Sequence, residues 1–291
     1  MNKVLIGLSI FFTYILMVMG NIVTTTGSGL GCPDWPLCYG TVVPPLEMQP
    51  WIEWSHRLLG GATGFLILAS TIFIWKNSKG AEKWLTAGAL GLLGVGAVFG
   101  GIIVKLEAPL LQGALHVFVI SFHIVLSTII FSLMILAFRK VGGQAAKPGV
   151  FYPLMFGLLS AQVLLGIVVR YSQASMACPD FPLCNGQIIP EFTEPGIALH
   201  FVHRIIAYTI FAVSAGYAAM ALKNGVDTRN AVITFALVFA QASFGIGLVQ
   251  TGMFLPLIVL HGAVGFGLLG WIVYLTAPYL VGGGQLEEAR A

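Results

Sequence analysis

Eight long apolar runs, separated by short and more polar connections, make up most of the chain. An α-helix needs about 20 consecutive apolar residues to cross the hydrocarbon core of a bilayer, and each run is long enough. The first run exceeds the apolar core of a signal peptide and lacks a small-residue cleavage site, so we interpret it as a retained anchor. The pattern predicts transmembrane helices at residues 4–24, 54–75, 84–104, 112–138, 150–170, 197–222, 230–250 and 256–279.

The composition supports an all-α integral membrane protein. Of the 291 residues, 57% are hydrophobic and 9% are charged, whereas soluble domains carry about 25% charged residues. Such a chain has too few charges to keep a water-exposed surface soluble. The basic residues form no stripe of the kind that binds nucleic acid.

Basic residues concentrate in alternate connections, which by the positive-inside rule face the cytoplasm. We therefore expect a plasma-membrane protein with both termini cytoplasmic, and with the more acidic connections on the outer face. The basic residues on the predicted inner side are Lys3, Lys76, Lys79, Lys83, Arg139, Lys140, Lys147, Lys223, Arg229 and Arg290.

The chain repeats itself after about 146 residues. Cys32 and Cys178 are 146 residues apart, His56 and His203 are 147 apart, and His116 and His261 are 145 apart. These spacings indicate a tandem duplication of a four-helix unit, with an N-terminal half at 1–145 and a C-terminal half at 146–291. Because four is even, both copies enter the membrane in the same direction, which predicts a pseudo-two-fold axis along the membrane normal.

One cysteine pair lies in each of two predicted outer connections, where disulfides persist. We expect bonds between Cys32 and Cys38 and between Cys178 and Cys184. Each bond could staple its loop over the helix ends or act as a redox pair, and the missing Cys-x-x-Cys spacing of thiol oxidoreductases favours the staple. The spacing also excludes covalent heme attachment, and the absence of histidine from these loops argues against zinc.

All six histidines fall inside predicted helices, where ionisable side chains indicate functional sites. His56 and His116 lie near the outer ends of helices 2 and 4, and His203 and His261 repeat this arrangement in helices 6 and 8. Two imidazoles on facing helices suit bis-histidine heme ligation, whereas copper or zinc would require three or four clustered ligands. A single intramembrane histidine could instead be a hydrogen-bonded core residue.

Glycines crowd predicted helices 3 and 7. Close helix packing is the ordinary reason for such residues, and room for a flat macrocycle is a second one. They are Gly91, Gly94, Gly96, Gly100, Gly101, Gly245 and Gly247.

Arg57, Arg170 and Arg204 lie near these histidines in the sequence or at the same helix ends. Their guanidinium groups could extend to the lipid headgroups or bind porphyrin propionates in bidentate fashion. Both interpretations are compatible with the sequence.

Glu53 distinguishes the two halves. It precedes His56 by three residues and therefore lies on nearly the same helix face, whereas the second half has His200 at the equivalent position. A carboxylate beside only one histidine pair suggests that only the first half performs chemistry. The alternative is that Glu53 lies in the membrane interface, solvated or paired with Arg57. His123 could support a ligand, belong to a proton relay or be a core residue, and the roles of His123 and His200 stay open.

The joint pattern resembles the heme A synthase family, in its bacterial and archaeal branch with cysteine pairs in the outer loops. The similarity covers nearly the whole chain. It rests on Glu53-x-x-His56-Arg57, Ala114-Leu115-His116, His203-Arg204, Leu260-His261 and the two Cys-x5-Cys loops.

This resemblance implies oxidation of the C8 methyl group of heme O to the formyl group of heme A for cytochrome oxidase assembly. It also implies that His203 and His261 bind the iron of a heme b cofactor, and that His56 and His116 hold the substrate heme. Glu53 is then essential for turnover, and the first cysteine pair is linked to activity. Expected partners are the lipid bilayer, a heme O synthase, an electron acceptor such as quinone and a second copy of the chain in a homo-oligomer.

Two other functions fit parts of the pattern. A di-heme b-type cytochrome that exchanges electrons with quinone would explain the four histidines, but it would give Glu53 and the cysteine loops no role. A membrane thiol oxidase would use the cysteines and leave the histidines unexplained. The identity of the bound hemes separates the synthase from the cytochrome.

Overall fold

The computed structural model describes residues 2–106, 113–143 and 149–281, except for the side chains of Asn2, Leu106 and His116. This part of the chain contains eight α-helices and no β-strand beyond two isolated bridges. The all-α fold class is therefore confirmed. The helices are α1 (Asn2–Thr25), α2 (Met48–Asn77), α3 (Glu82–Leu106), α4 (Gly113–Gly142), α5 (Phe151–Tyr171), α6 (Pro195–Asn224), α7 (Thr228–Gln250) and α8 (Leu255–Val281).

All eight helices are long and apolar enough to cross a membrane, which confirms the predicted multi-pass character. Helix α2 begins at Met48 rather than near residue 54. Hydropathy marks only the apolar part of a helix, and Pro50 is tolerated in the first turn because the N–H groups there have no intrahelical acceptor. Glu53 and His56 therefore lie inside α2, one to two turns beyond its start.

The chain divides into two compact units, one comprising Met1–Gly149 with Val273–Ala291 and the other comprising Val150–Ile272. The predicted boundary between residues 145 and 146, and the pseudo-two-fold relation of the halves, stay predictions.

In the first unit, α1 to α4 pack through small and aliphatic side chains. Lipid is as apolar as these side chains, so close packing and interhelical hydrogen bonds must hold the helices together. The hydroxyl oxygens of Ser9 in α1 and Ser70 in α2 lie 2.9 Å apart and form such a bond. The buried core of this unit comprises Ile6, Ile67, Ile74, Ala89, Ile130 and Met134.

In the second unit, α6 and α7 approach closely through Ala218, Ala221 and Ala231, all of which are buried. Helix α8 is joined to α7 by a hydrogen bond from Trp271 Nε1 to Thr234 Oγ1 at 3.0 Å. Membrane helices commonly associate in these two ways, through small residues that allow close packing and through interhelical hydrogen bonds.

The segments after α1 and after α5 are built alike, and we call residues 26–47 and 172–194 the first and second disulfide loops. Each contains a short 3-10 helix, a disulfide and a cis peptide bond before proline. The predicted bonds Cys32–Cys38 and Cys178–Cys184 are both present. The shared backbone features of the two loops agree with the predicted duplication.

An aspartate closes the turn in each loop. Asp34 accepts hydrogen bonds from the backbone N–H groups of Tyr39 at 2.6 Å and Gly40 at 2.7 Å. Asp180 accepts the same two bonds from Asn185 and Gly186. Hydrogen bonds to a carboxylate favour its charged form, and those from the glycine N–H groups are the main reason why the pKa of each aspartate lies below its ordinary value.

Candidate functional site

Arg57 attaches the first disulfide loop to α2. Its Nη1 donates to the carbonyl oxygens of Asp34 and Leu37, both at 2.6 Å, and its Nη2 donates to that of Cys32 at 3.1 Å. A guanidinium has five N–H donors in a planar fork, which allows one side chain to reach several carbonyl oxygens of a loop. In this structure Arg57 therefore holds the loop backbone.

Arg204 makes the equivalent contacts in the second unit. Its Nη1 donates to Asp180 O at 2.8 Å and Leu183 O at 2.7 Å, and its Nη2 donates to Cys178 O at 2.6 Å. The hypothesis that these two arginines bind propionates stays untested, and any propionate would share a guanidinium already bonded to the loop.

Glu53 is buried, with 3% of its surface exposed. Its Oε2 accepts the backbone N–H of Cys32 at 2.8 Å, and its Oε1 forms an ion pair with Arg57. Of the two interpretations that placed Glu53 in the interface, pairing with Arg57 agrees with the structure and solvation does not. The carboxylate thus joins α2, the first disulfide loop and the arginine.

His200 takes the place of Glu53 in the second unit and is also buried. The N–H of Cys178 lies 3.4 Å from its Nδ1, and Nε of Arg204 lies 3.3 Å from its Nε2. A neutral imidazole accepts a hydrogen bond at only one ring nitrogen. His200 therefore supplies one neutral acceptor where Glu53 supplies two charged ones.

The imidazole of His203, a residue of α6, packs against helix α5. Gln162 Nε2 donates to Nε2 of the ring at 3.2 Å and to the backbone carbonyl of His203 at 3.0 Å. A Cβ added at Gly166 would lie 3.1 Å from Cε1 of the ring, tighter than nine in ten real Cβ contacts. A glycine avoids this crowding, so Gln162 and Gly166 together position the ring.

His261 lies on helix α7 in the same way. Gln241 Nε2 donates to its Nε2 at 3.2 Å, and a Cβ added at Gly245 would lie 3.2 Å from its Cε1. His261 interacts electrostatically with His203 and with Arg170. The two histidines predicted to bind heme b are therefore neighbours in the second unit, with a cation of α5 close by.

We call such an arrangement a platform: a helix residue that hydrogen-bonds an imidazole, followed four residues later by a glycine that faces Cε1 of the same ring. His56 lies on a platform of α1, where its ring hydrogen-bonds to the carbonyl of Leu16 and a Cβ added at Gly20 would lie 3.1 Å from Cε1. His56 therefore repeats the environment of His203.

Helix α3 provides the fourth platform, and His123 lies on it. The ring of His123 hydrogen-bonds to the carbonyl of Gly96, and a Cβ added at Gly100 would lie 3.7 Å from its Cε1. His116, the predicted partner of His56, belongs to α4, but its side chain lies outside the described part of the structure. The pairing of His56 with His116 stays a prediction.

The four imidazoles that lie on platforms are suited to serve as axial ligands of heme iron. In each of them Nδ1 is buried, and no described residue lies within hydrogen-bonding distance of it. A buried polar atom without a partner is unfavourable unless something else binds the group. The glycines let the rings lie close to the platform helices, and heme needs only two protein ligands because its porphyrin supplies four nitrogens.

Sequence reasoning did not single out Gln162, Gln241 or Leu16. Each is ordinary in a membrane helix when taken alone, and its role depends on a histidine of another helix. One signal was available: Gly20 and Gly166 are 146 residues apart, the spacing of the cysteine pairs.

Comparison with known proteins agrees with this arrangement. The family model described as cytochrome oxidase assembly protein, COX15-CtaA, matches residues 3–273. The heme A synthase of Bacillus licheniformis is 33% identical, and the match covers 96% of this chain and 98% of that protein. The heme A synthase of Alkalihalophilus pseudofirmus is 34% identical over 90% of this chain and 92% of its own length. That of Halalkalibacterium halodurans is 32% identical, with coverages of 92% and 91%.

Proposed function

The chain belongs to the COX15-CtaA family of cytochrome oxidase assembly proteins, and we propose that it is a heme A synthase. It oxidises the C8 methyl group of heme O to the formyl group of heme A. The observation that carries this proposal is the combination of imidazoles whose Nδ1 atoms are buried in both units with a buried carboxylate at Glu53, where the second unit has His200. Its similarity to three heme A synthases over nearly the whole chain supports the same conclusion.

The two halves of the chain, residues 1–145 and 146–291, bind different hemes. His56 and His116 hold the substrate heme O in the first half, and His203 and His261 hold heme b in the second. Heme b supplies one-electron redox chemistry when it is bound. The amides of Gln162 and Gln241 lie 3.2 Å from Nε2 of the two cofactor histidines and hold the rings in place, as the groups around a metal site orient its ligands.

Glu53 acts in the first half as a fixed negative charge. Oxidation of the methyl group develops positive charge on the substrate, and water provides the formyl oxygen. In a site of low dielectric constant, a preorganised carboxylate stabilises that charge and can accept a proton from the attacking water. The Cys32 N–H and Arg57 hold the carboxylate in place, so it need not reorganise during the reaction.

The electrons removed from the methyl group pass to an acceptor of the quinone class, which dissolves in the same bilayer as the protein. We place the protein in the plasma membrane with both termini cytoplasmic. The disulfide loops then face the oxidising outer side, where their bonds persist. The lysines and arginines at the opposite helix ends support this orientation.

The test is to identify the hemes bound by the full-length chain. The chain is purified from membranes in which a heme O synthase is co-expressed, and the extracted hemes are identified by mass. We expect heme A, or its hydroxylated precursor, together with heme b. Membranes that carry the heme O synthase alone are the control. Heme b as the sole bound heme, with heme O available, would contradict the proposal and favour a di-heme cytochrome.

A further inference from the structure

The platforms of α3 and α7 correspond in the duplication. Gly96 and Gln241 are 145 residues apart, and so are Gly100 and Gly245. His116 and His261 are separated by the same 145 residues. The duplication therefore predicts that the α3 platform carries His116, whereas the described structure places His123 there.

His123 resembles His261 in several respects. Its ring contacts a platform glycine through Cε1, it hydrogen-bonds to the residue four positions before that glycine, and its Nδ1 is buried without a described partner. It also interacts electrostatically with His56, as His261 does with His203. His123 thus stands in the same relation to His56 as His261 does to His203.

We propose that His123 is an iron-binding imidazole of the first unit, able to serve as the axial partner of His56 in addition to His116. The two histidines of α4 are seven residues apart, which places them on one face of the helix about 10 Å apart along its axis. Helix α4 therefore offers an approaching heme two ligands in succession.

The second unit lacks this second ligand. The position equivalent to His123 is Leu268, which is buried and has no nitrogen to offer. The difference agrees with the proposed functions of the halves, on which this inference rests. A substrate heme must enter and leave, and a second imidazole can hold its iron while the first is exchanged. A resident cofactor needs only one pair of ligands.

The inference is tested with hemin added to the purified full-length chain, so that the readout does not depend on turnover. Ligation is followed by visible and electron paramagnetic resonance spectra, which separate low-spin bis-imidazole iron from high-spin iron with one imidazole. We expect His116→Ala to keep a low-spin signal from the first unit, with shifted g-values, because His123 replaces the lost ligand. The double variant H116A/H123L should lose that signal.

The second unit provides the matched control. His261→Ala should convert its site to high spin in a single step, because Leu268 cannot replace the lost imidazole. If H116A becomes as high-spin as H116A/H123L, or if no low-spin signal belongs to the first unit of the unaltered chain, the proposal is overturned. Heme A formation is measured separately, so the synthase function can stand when this inference fails.

A second measurement covers the case in which H116A does not fold. His123→Leu introduces the residue found at the equivalent position of α8 and should be well tolerated. We expect hemin to transfer from the first unit of this variant to apomyoglobin at a rate several-fold different from that of the unaltered chain. Transfer from the second unit should not change. An unchanged rate in the first unit would contradict the proposal.

Discussion

Replacing Glu53 with histidine separates the chemical role of the carboxylate from its structural role. The second unit already uses a histidine at this position, where His200 faces the N–H of Cys178 and Nε of Arg204. Glu53→His therefore introduces an acceptor that the same loop architecture tolerates. It removes the buried carboxylate that precedes His56 while keeping a group that can anchor the loop.

The expected loss of stability follows from the contacts. Glu53 accepts two hydrogen bonds, one of them from the partly buried guanidinium of Arg57, and charged hydrogen bonds contribute about 1.5–3 kcal/mol each. Histidine restores one neutral bond and is cheaper to bury than a carboxylate, so we expect E53H to cost about 2–3 kcal/mol. Alanine removes the carboxylate partner and leaves Arg57 bonded only to loop carbonyl oxygens, which costs about 3–5 kcal/mol, against a total stability of about 5–15 kcal/mol for a typical protein.

The effect on catalysis should be much larger than the effect on folding. General-base catalysis alone contributes about 100- to 10,000-fold in rate, so E53H should form heme A at least about a hundredfold more slowly. The assay measures heme A formed per chain by mass, total bound heme by its visible spectrum, and thermal unfolding in detergent. We expect bound heme to stay near that of the unaltered chain.

The double variant E53H/H200E is the matched control. It keeps the number of carboxylates and moves one of them beside Arg204. A glutamate should be accommodated there, because Arg57 already pairs with a glutamate at the equivalent position of the first unit. We expect it to recover no heme A formation, because the substrate histidines stay in the first unit. Heme A formation by E53H at the rate of the unaltered chain would refute a chemical role for Glu53.

Two further predictions concern the platforms and the loops. Gly166→Ala puts a Cβ 3.1 Å from Cε1 of His203, an overpacking that costs about 1–3 kcal/mol, so heme b affinity should fall about tenfold in a hemin titration. Gly157→Ala in the same helix, with no described atom within 4 Å, should leave it unchanged. Asp34→Asn removes a carboxylate whose pKa is lowered chiefly by the N–H of Gly40, so a phosphine should reduce the first disulfide faster at pH 7. A lowered pKa stabilises the fold only above the ordinary value of about 4. The resistance of the unaltered loop to reduction should therefore decrease as the pH falls below that value. Equal reduction rates of D34N and the unaltered chain at pH 7 would contradict a role of Asp34 in holding the loop.

The helices and disulfides could be predicted because their signals are local. A membrane helix requires a continuous apolar run, and two cysteines in a short proline-rich loop have few other partners. The start of α2 at Met48 was missed because hydropathy does not detect a polar first turn. The pairing of Glu53 with Arg57 was foreseen as an alternative, since residues four apart on a helix are neighbours.

The remaining features of the site depend on contacts between helices that no local pattern specifies. The sequence could not show that the fold of the loop brings carbonyl oxygens to the guanidinium of Arg57, and its binding of headgroups or propionates stays a prediction. Gln162 acquires its role only because α5 packs against the ring of His203. His123 had no counterpart in the repeat, and only the packing of α4 on α3 places it next to Gly100.

The way in which the arginines hold the disulfide loops has a consequence for the history of the molecule. Arg57 and Arg204 bind backbone carbonyl oxygens, which every amino acid provides, so the attachment of each loop does not depend on the side chains within it. After a gene duplication, residues 53 and 200 could therefore diverge without loss of the loop structure. Such an arrangement would allow the proposed division, with catalysis in one copy and electron transfer in the other, to arise through very few substitutions. Residue 53 can therefore be changed while Arg57 still holds the loop through its carbonyl oxygens.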